Sequence, residues 1–185
     1  MARTESTMLP LGTTAPEFQL LDTVSDKTLG LQHIKGDKGT VIMFICNHCP
    51  FVKHINSEIA QLGKDYINKG IGFVAISSND VVNYPEDSPE AMKQNAAEND
   101  FGFPYLYDET QETAKIYDAA CTPDFYIFNS DLKLAYRGQL DDSRPGNGIP
   151  VTGKDMRNAL DAMLENRQIS EVQKPSIGCN IKWKL

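Results

Sequence analysis

Cys46 and Cys49, with Asn47 and His48 between them, are the residues of this chain whose type and spacing most directly imply chemistry. The pair directly follows an apolar, β-branched run, Val41-Ile42-Met43-Phe44-Ile45, and directly precedes a segment with helical periodicity. A turn from strand to helix is expected to put the first sulfur, Cys46, over the helix N-terminus. Unpaired amides and the helix dipole favour a thiolate there. A thiolate is a nucleophile, and a second thiol within one turn can resolve what the first attacks. The pattern points to dithiol–disulfide exchange, with Cys46 and Cys49 as the catalytic pair. His48 either pairs with the Cys46 thiolate and lowers its pKa, or is simply exposed. His54 reads as a surface residue.

These residues sit in a chain of 185 residues, enough for one domain with a real core. A formal net charge of -7 argues against nucleic acid and anionic membrane surfaces as partners. No run of about 18 apolar residues exists, so no membrane span is expected. The stretch MARTESTMLPLG lacks the apolar core of a secretory signal, and the expected location is cytoplasmic. Four cysteines are too few for a disulfide scaffold and suit catalysis or metal binding in a reducing compartment.

The elements that must position the pair can be read from periodicity. Residues 1–10 read as an arm. Phe18–Leu20 and Thr28–Leu31 flank a polar turn and suggest an N-terminal hairpin. Thr40–Ile45 is apolar without alternation, as a central strand buried on both faces would be. Val52, Ile55, Ile59, Leu62 and Tyr66 mark one face of a helix over 50–69, closed by Gly70. Ile71–Ser77 is a second buried strand, expected to run parallel to the first. Ser88 and Pro89 open another helix. Tyr105–Tyr107 reads as a short strand. Asp108 should cap a helix to about Tyr117, with Gln111 completing a capping box. Asp124–Asn129 and Leu134–Arg137 form a second hairpin, and Thr152 starts a last helix to about Glu165. Residues 166–185 show no clear period and are expected to pack on the domain surface as a tail. The sum is an α/β domain over 11–165, a mixed sheet flanked by helices.

With that order in place, the chain resembles the redoxin branch of the thioredoxin-fold superfamily, the AhpC/TSA peroxiredoxin-like and reductase relatives. Ala15-Pro16-Glu17-Phe18, the C-x-x-C after a central strand, and Thr122-Pro123-Asp124-Phe125-Tyr126-Ile127-Phe128-Asn129 carry the resemblance, over roughly residues 10–165. It implies a thioredoxin-like fold and a thiol-disulfide oxidoreductase. It also implies a cis bond at Pro123, facing the two sulfurs and leaving the Thr122 backbone free to pair with an extended substrate segment. The implied substrate is a protein or small-molecule disulfide or thiol, reset by an external reductant, with no cofactor. Strongly oxidising relatives likewise carry a His before the second cysteine.

Two rival readings compete. A peroxidase of this superfamily would carry P-x-x-x-T-x-x-C. With Cys49 as the peroxidatic residue, Cys46 and Ile42 stand where Thr and Pro belong; with Cys46, Met43 and Gly39 do. The arginine expected before the following strand falls on Pro123. A copper or zinc module would use Cys46, Cys49 and His48 or His54; copper-delivering relatives on this fold add a distant His, and His33 lies in the N-terminal segment, not where those relatives have theirs. Cys121, two residues before Pro123, is expected near the site as a small buried residue. Cys179 lies in the tail. It reads as a packed or free thiol, although a tail folded back would make it a resolving thiol or a partner of Cys121.

Overall fold

The computed structural model describes residues 3–185; Met1 and Ala2 of the expected arm lie outside them. Its centre is strand β4 (Gly39–Phe44), buried at every position. The reason is two-sided packing. Val41 and Met43 face one apolar cluster, and Ile42 and Phe44 face the other. Each such side chain is worth about 1.5–3 kcal/mol when removed from water. β4 pairs in parallel with β5 (Ile71–Ser77) and antiparallel with β8 (Asp124–Asn129).

Around this centre runs a seven-stranded mixed sheet. Its other members are β2 (Gln19–Asp22), β3 (Thr28–Gly30), β6 (Tyr105–Tyr107) and β9 (Leu134–Gly138). The order is β3-β2-β6-β5-β4-β8-β9. The expected N-terminal hairpin is therefore no appendage: β2 pairs with β6, and β3 forms one edge of the sheet.

Helices cover both faces. On one side Ile59, Leu62 and Tyr66 of α3 (Asn56–Tyr66), Met92 and Ala96 of α4 (Pro89–Glu98), and Met156, Ala159 and Leu160 of α6 (Lys154–Leu164) share a cluster with Cys46 and Cys49. On the other, α1 (Leu31–Ile34) and α5 (Glu112–Ile116) pack with Tyr117, Tyr126 and Phe128.

Three expectations need correcting. The helix expected over 50–69 is broken into α2 (Pro50–Lys53), α3 and a final 3-10 turn. The break falls at Ile55, whose amide bonds Val52 three residues back and whose ψ of 2° leaves the helical range. Gln111 forms no capping box. Its backbone is left-handed, and its side-chain amide reaches the carbonyls of Ser78 and Lys182, while Asp108 alone accepts from the Thr113 and Ala114 amides.

The third concerns the tail. Ile177–Asn180 is a strand, β10, lying between β1 (Arg3–Glu5) and the two-residue β7 (Cys121–Thr122) in a separate three-stranded sheet. The described part of the arm is thus a strand as well, and β1 and β10 pair beside Cys121 and Thr122.

Candidate active site

Cys46 lies in the loop after β4, and Cys49 is the N-cap of α2. It is the second sulfur, not the first, that sits at the helix start. All four cysteines are free thiols and buried. Cys46 Sγ lies 3.3 Å from Thr122 Oγ1. Cys49 Sγ lies 3.2 Å from the Thr122 carbonyl and 2.7 Å from Cys179 Sγ. The Thr122–Pro123 bond is cis. Thr122 therefore touches both sulfurs of the pair, one through its hydroxyl and one through its backbone.

The two thiols are displaced in opposite directions. The hydrogen bond from Cys46 is the largest cause lowering Cys49; burial opposes it, and the Cys179 thiol and the Val52 amide assist. Cys49 comes down to about 5. The same bond pushes Cys46 well above an ordinary thiol, and burial and the Asp87 charge push the same way. The Thr122 hydroxyl pulls Cys46 back down. The easy proton to lose is thus on Cys49, where the sequence pointed to Cys46. Cys179 is pushed up to about 12, first by burial and then by its bond to Cys49.

Asp87, fully buried, organises the loop. One carboxylate oxygen accepts from the amides of Asn47 (2.7 Å) and His48 (3.3 Å). The other meets His48 Nδ1 at 2.6 Å and accepts from Asn79 Nδ2 at 2.8 Å. The amides that could have faced the sulfurs are spent on this carboxylate. Burial raises Asp87, but the bonds from His48 and Asn79 outweigh it, and it ends below the usual carboxylate range. His48 is raised, chiefly by its bond to Asp87, and burial works against this. Its side chain is only 14% exposed, and its ring stacks on Tyr84 at 5.4 Å. Asn47 is held by the Glu86 carbonyl and the Tyr105 hydroxyl.

The tail is fastened at several points. Lys182 donates its amide to Asn79 Oδ1, and its carbonyl accepts from the Asp80 amide and Gln111 Nε2. Ser176 Oγ donates to the Pro123 carbonyl. In β10, Cys179 stands opposite Thr122 and Asn180 opposite Cys121.

A family model described as AhpC/TSA family matches residues 11–137. The chain belongs to the AhpC/TSA family. No curated protein matches it. An uncharacterized conserved protein from Geobacillus kaustophilus is 64% identical, with a TM-score of 0.98 over 100% of this chain and 97% of that one. A hypothetical protein from Sinorhizobium meliloti is 44% identical, with a TM-score of 0.95 over 98% of each chain. The thioredoxin domain of a thiol-disulfide oxidoreductase from Bacteroides vulgatus is 15% identical, with a TM-score of 0.66 over 84% of this chain and 99% of that one. That last likeness shows the thioredoxin-like fold.

In this AhpC/TSA member the structure brings Cys46, Cys49, Thr122, Pro123 and Cys179 together. Cys121 is beside them in sequence, but its sulfur turns to the Pro123 carbonyl at 3.5 Å, and burial holds its proton firmly. Cys179 pairs with neither Cys121 nor solvent. The Thr122 backbone is not free for a substrate strand, because β10 already occupies that edge. The donor set also differs from the expected metal set. Atoms of Cys46, His48 and Asp87 lie within 4.8 Å of one another, while His54 bonds Ser143 Oγ and His33 accepts from the Gly30 amide. Asp87, Asn79 and Gly178 carry no motif. Asn79 lies just after the parallel strand β5, at the sheet end where ligands bind in open α/β folds. Among the described residues, no helix is long and apolar enough to cross a membrane.

Proposed function

We propose that the protein is a thiol-disulfide oxidoreductase whose working couple is Cys46–Cys49. The observation that carries this is geometric: Thr122 touches both sulfurs of the C-x-x-C pair, Cys46 through its hydroxyl at 3.3 Å and Cys49 through its carbonyl at 3.2 Å. Cys46 gives its proton to Cys49 along their hydrogen bond and attacks a substrate disulfide, forming a mixed disulfide. Cys49 then returns the proton to the departing substrate thiolate and attacks Cys46 Sγ, leaving the Cys46–Cys49 bridge. An external thiol reductant resets it. Thr122 orients both sulfurs, and Asp87 positions His48 beside the pair. The domain carrying this couple is 11–165, with the tail packed on it. The natural substrate is a disulfide in a segment or small molecule able to displace β10. A peroxidase gains less support, because among the described residues no arginine hydrogen-bonds either sulfur.

The test is disulfide exchange with glutathione disulfide, combined with the midpoint potential of the couple. Exchange lost in both Cys46→Ser and Cys49→Ser is expected. Exchange retained without Cys46 and Cys49, or fast peroxide turnover in Cys49→Ser, would sink the reading. So would stoichiometric copper or zinc in the purified chain.

A further inference from the structure

The tail strand occupies the edge that an extended substrate would use. We propose that Cys179 is a third redox thiol, presented by β10 as an internal substrate, and that it captures the oxidised couple as a Cys49–Cys179 disulfide. This rests on the exchange reading of Cys46 and Cys49.

Three independent observations place it there. Cys49 Sγ and Cys179 Sγ are 2.7 Å apart, within about 1 Å of disulfide bonding distance. Cys179 is in register with Thr122, so the strand is held by main-chain pairing and not by a sulfur contact alone. Gly178 lets the strand come this close: a Cβ there would overlap the Thr122 carbonyl oxygen and crowd Pro123.

The step is an isomerisation. The Cys179 thiol attacks Cys49 Sγ of the Cys46–Cys49 bridge. The Cys49–Cys179 bond forms, the Cys46–Cys49 bond breaks, and the Cys179 proton ends on Cys46. No electrons enter or leave. Once Cys49 is bridged to Cys46 it carries no charge, so both the hydrogen bond and the charge that help hold the Cys179 proton are gone. The product pins β10 over the Thr122 edge and returns Cys46 as a thiol. The thiol reductant of the cycle later supplies two electrons to reopen the Cys49–Cys179 bridge.

The full chain is equilibrated in glutathione buffers of stepped potential, quenched with an alkylating agent, digested with trypsin and mapped by mass. Lys53 and Arg167 ensure that Cys49 and Cys179 fall on different peptides. A cross-linked pair is expected in the wild type and in Cys46→Ser, and is expected to vanish in Cys49→Ser and Cys179→Ser. Cys179→Ser changes one atom and should keep the fold and the Cys46–Cys49 bridge. Gly178→Val should lose the cross-link, keep the Cys46–Cys49 bridge and raise alkylation of the reduced pair at least about tenfold, because the strand must lift. A wild type that forms Cys46–Cys49 at every potential with Cys179 always free overturns the proposal while leaving the exchange reading intact. Formation of no bridge at all removes both. A folded Gly178→Val that cross-links and alkylates like the wild type overturns the seating of the strand.

Discussion

Replacing Asp87 with Asn changes almost no volume and removes the one buried charge that holds the cysteine loop. The carboxamide oxygen can still accept from the Asn47 and His48 amides. Its NH2 group then faces two donors, His48 Nδ1 and Asn79 Nδ2, at positions where the carboxylate oxygen sits 2.6 and 2.8 Å away. Two bonds to a charged acceptor are lost, each worth about 1.5–3 kcal/mol. The expected cost is about 3–6 kcal/mol, a large share of the about 5–15 kcal/mol that a domain possesses. With a urea slope near about 2 kcal/mol/M, the unfolding midpoint should fall by about 1.5–3 M at unchanged slope. The thiols should respond in the opposite sense. Asp87 raises Cys46 through its charge, so its removal should let Cys46 alkylate at lower pH than in the wild type. His48, raised chiefly by this carboxylate, should titrate lower. Urea unfolding and an iodoacetamide pH–rate profile measure the two effects. A midpoint within about 0.3 M of wild type, together with an unchanged thiol profile, would refute the role given to Asp87.

Three further outcomes are expected. Thr122→Val removes the hydroxyl 3.3 Å from Cys46 Sγ that pulls its proton affinity down, so Cys46 should alkylate only at higher pH and exchange more slowly at neutral pH; an unchanged alkylation profile would contradict this. His48 has a folded pKa above its unfolded value, so its ion pair with Asp87 contributes fully below about pH 6.5 and is lost as pH rises through the folded value. The stability gap between wild type and His48→Gln, from urea unfolding, should therefore shrink from pH 6 to pH 9, and a gap that widened would reverse the sign of the argument. Gly72→Ala should cost about 3 kcal/mol or more because its Cβ would meet the Ile34 carbonyl oxygen, whereas Gly102→Ala meets nothing within 4 Å and should stay within about 0.5 kcal/mol; equal midpoints would count against this packing.

Elements whose signal is local were legible in the sequence. β4 and β5 declare themselves as unbroken apolar runs, and Ser88 caps α4 through the Ala91 amide as its type predicts. The helix break at Ile55 was not legible, since apolar spacing continues through it and only the hydrogen-bond pattern changes. β10 was hidden for a different reason. Ile177-Gly178-Cys179-Asn180 has neither alternation nor β-branched density, and it is a strand because partners stand on both sides of it. The C-x-x-C was legible, and its electrostatics were not. Asp87 is 39 positions from His48, and no spacing rule connects them. Gln111 shows how a local rule loses to a tertiary one: a residue placed for a capping box instead holds the tail through the Lys182 carbonyl.

The hydrogen bond between Cys46 and Cys49 is the largest cause of both displacements, downward on one and upward on the other. It follows that the first proton leaves the pair easily and the second very reluctantly. Above about pH 5 the arrangement favours a thiolate on Cys49 while Cys46 keeps its proton. That combination suits exchange better than two thiolates would, because each attack creates a leaving thiolate that must be protonated. Asp87 reinforces it by penalising a second negative charge beside Cys46, and the same carboxylate raises His48. Burying the pair beneath β10 sharpens both effects, since charges interact more strongly out of water. The same burial keeps a reactive thiolate away from peroxide and stray disulfides until something displaces the strand. Access is thus set by the tail, whereas tuning is divided between the Asp87 loop, which acts on Cys46, and the Cys179 thiol of the tail, which helps lower Cys49.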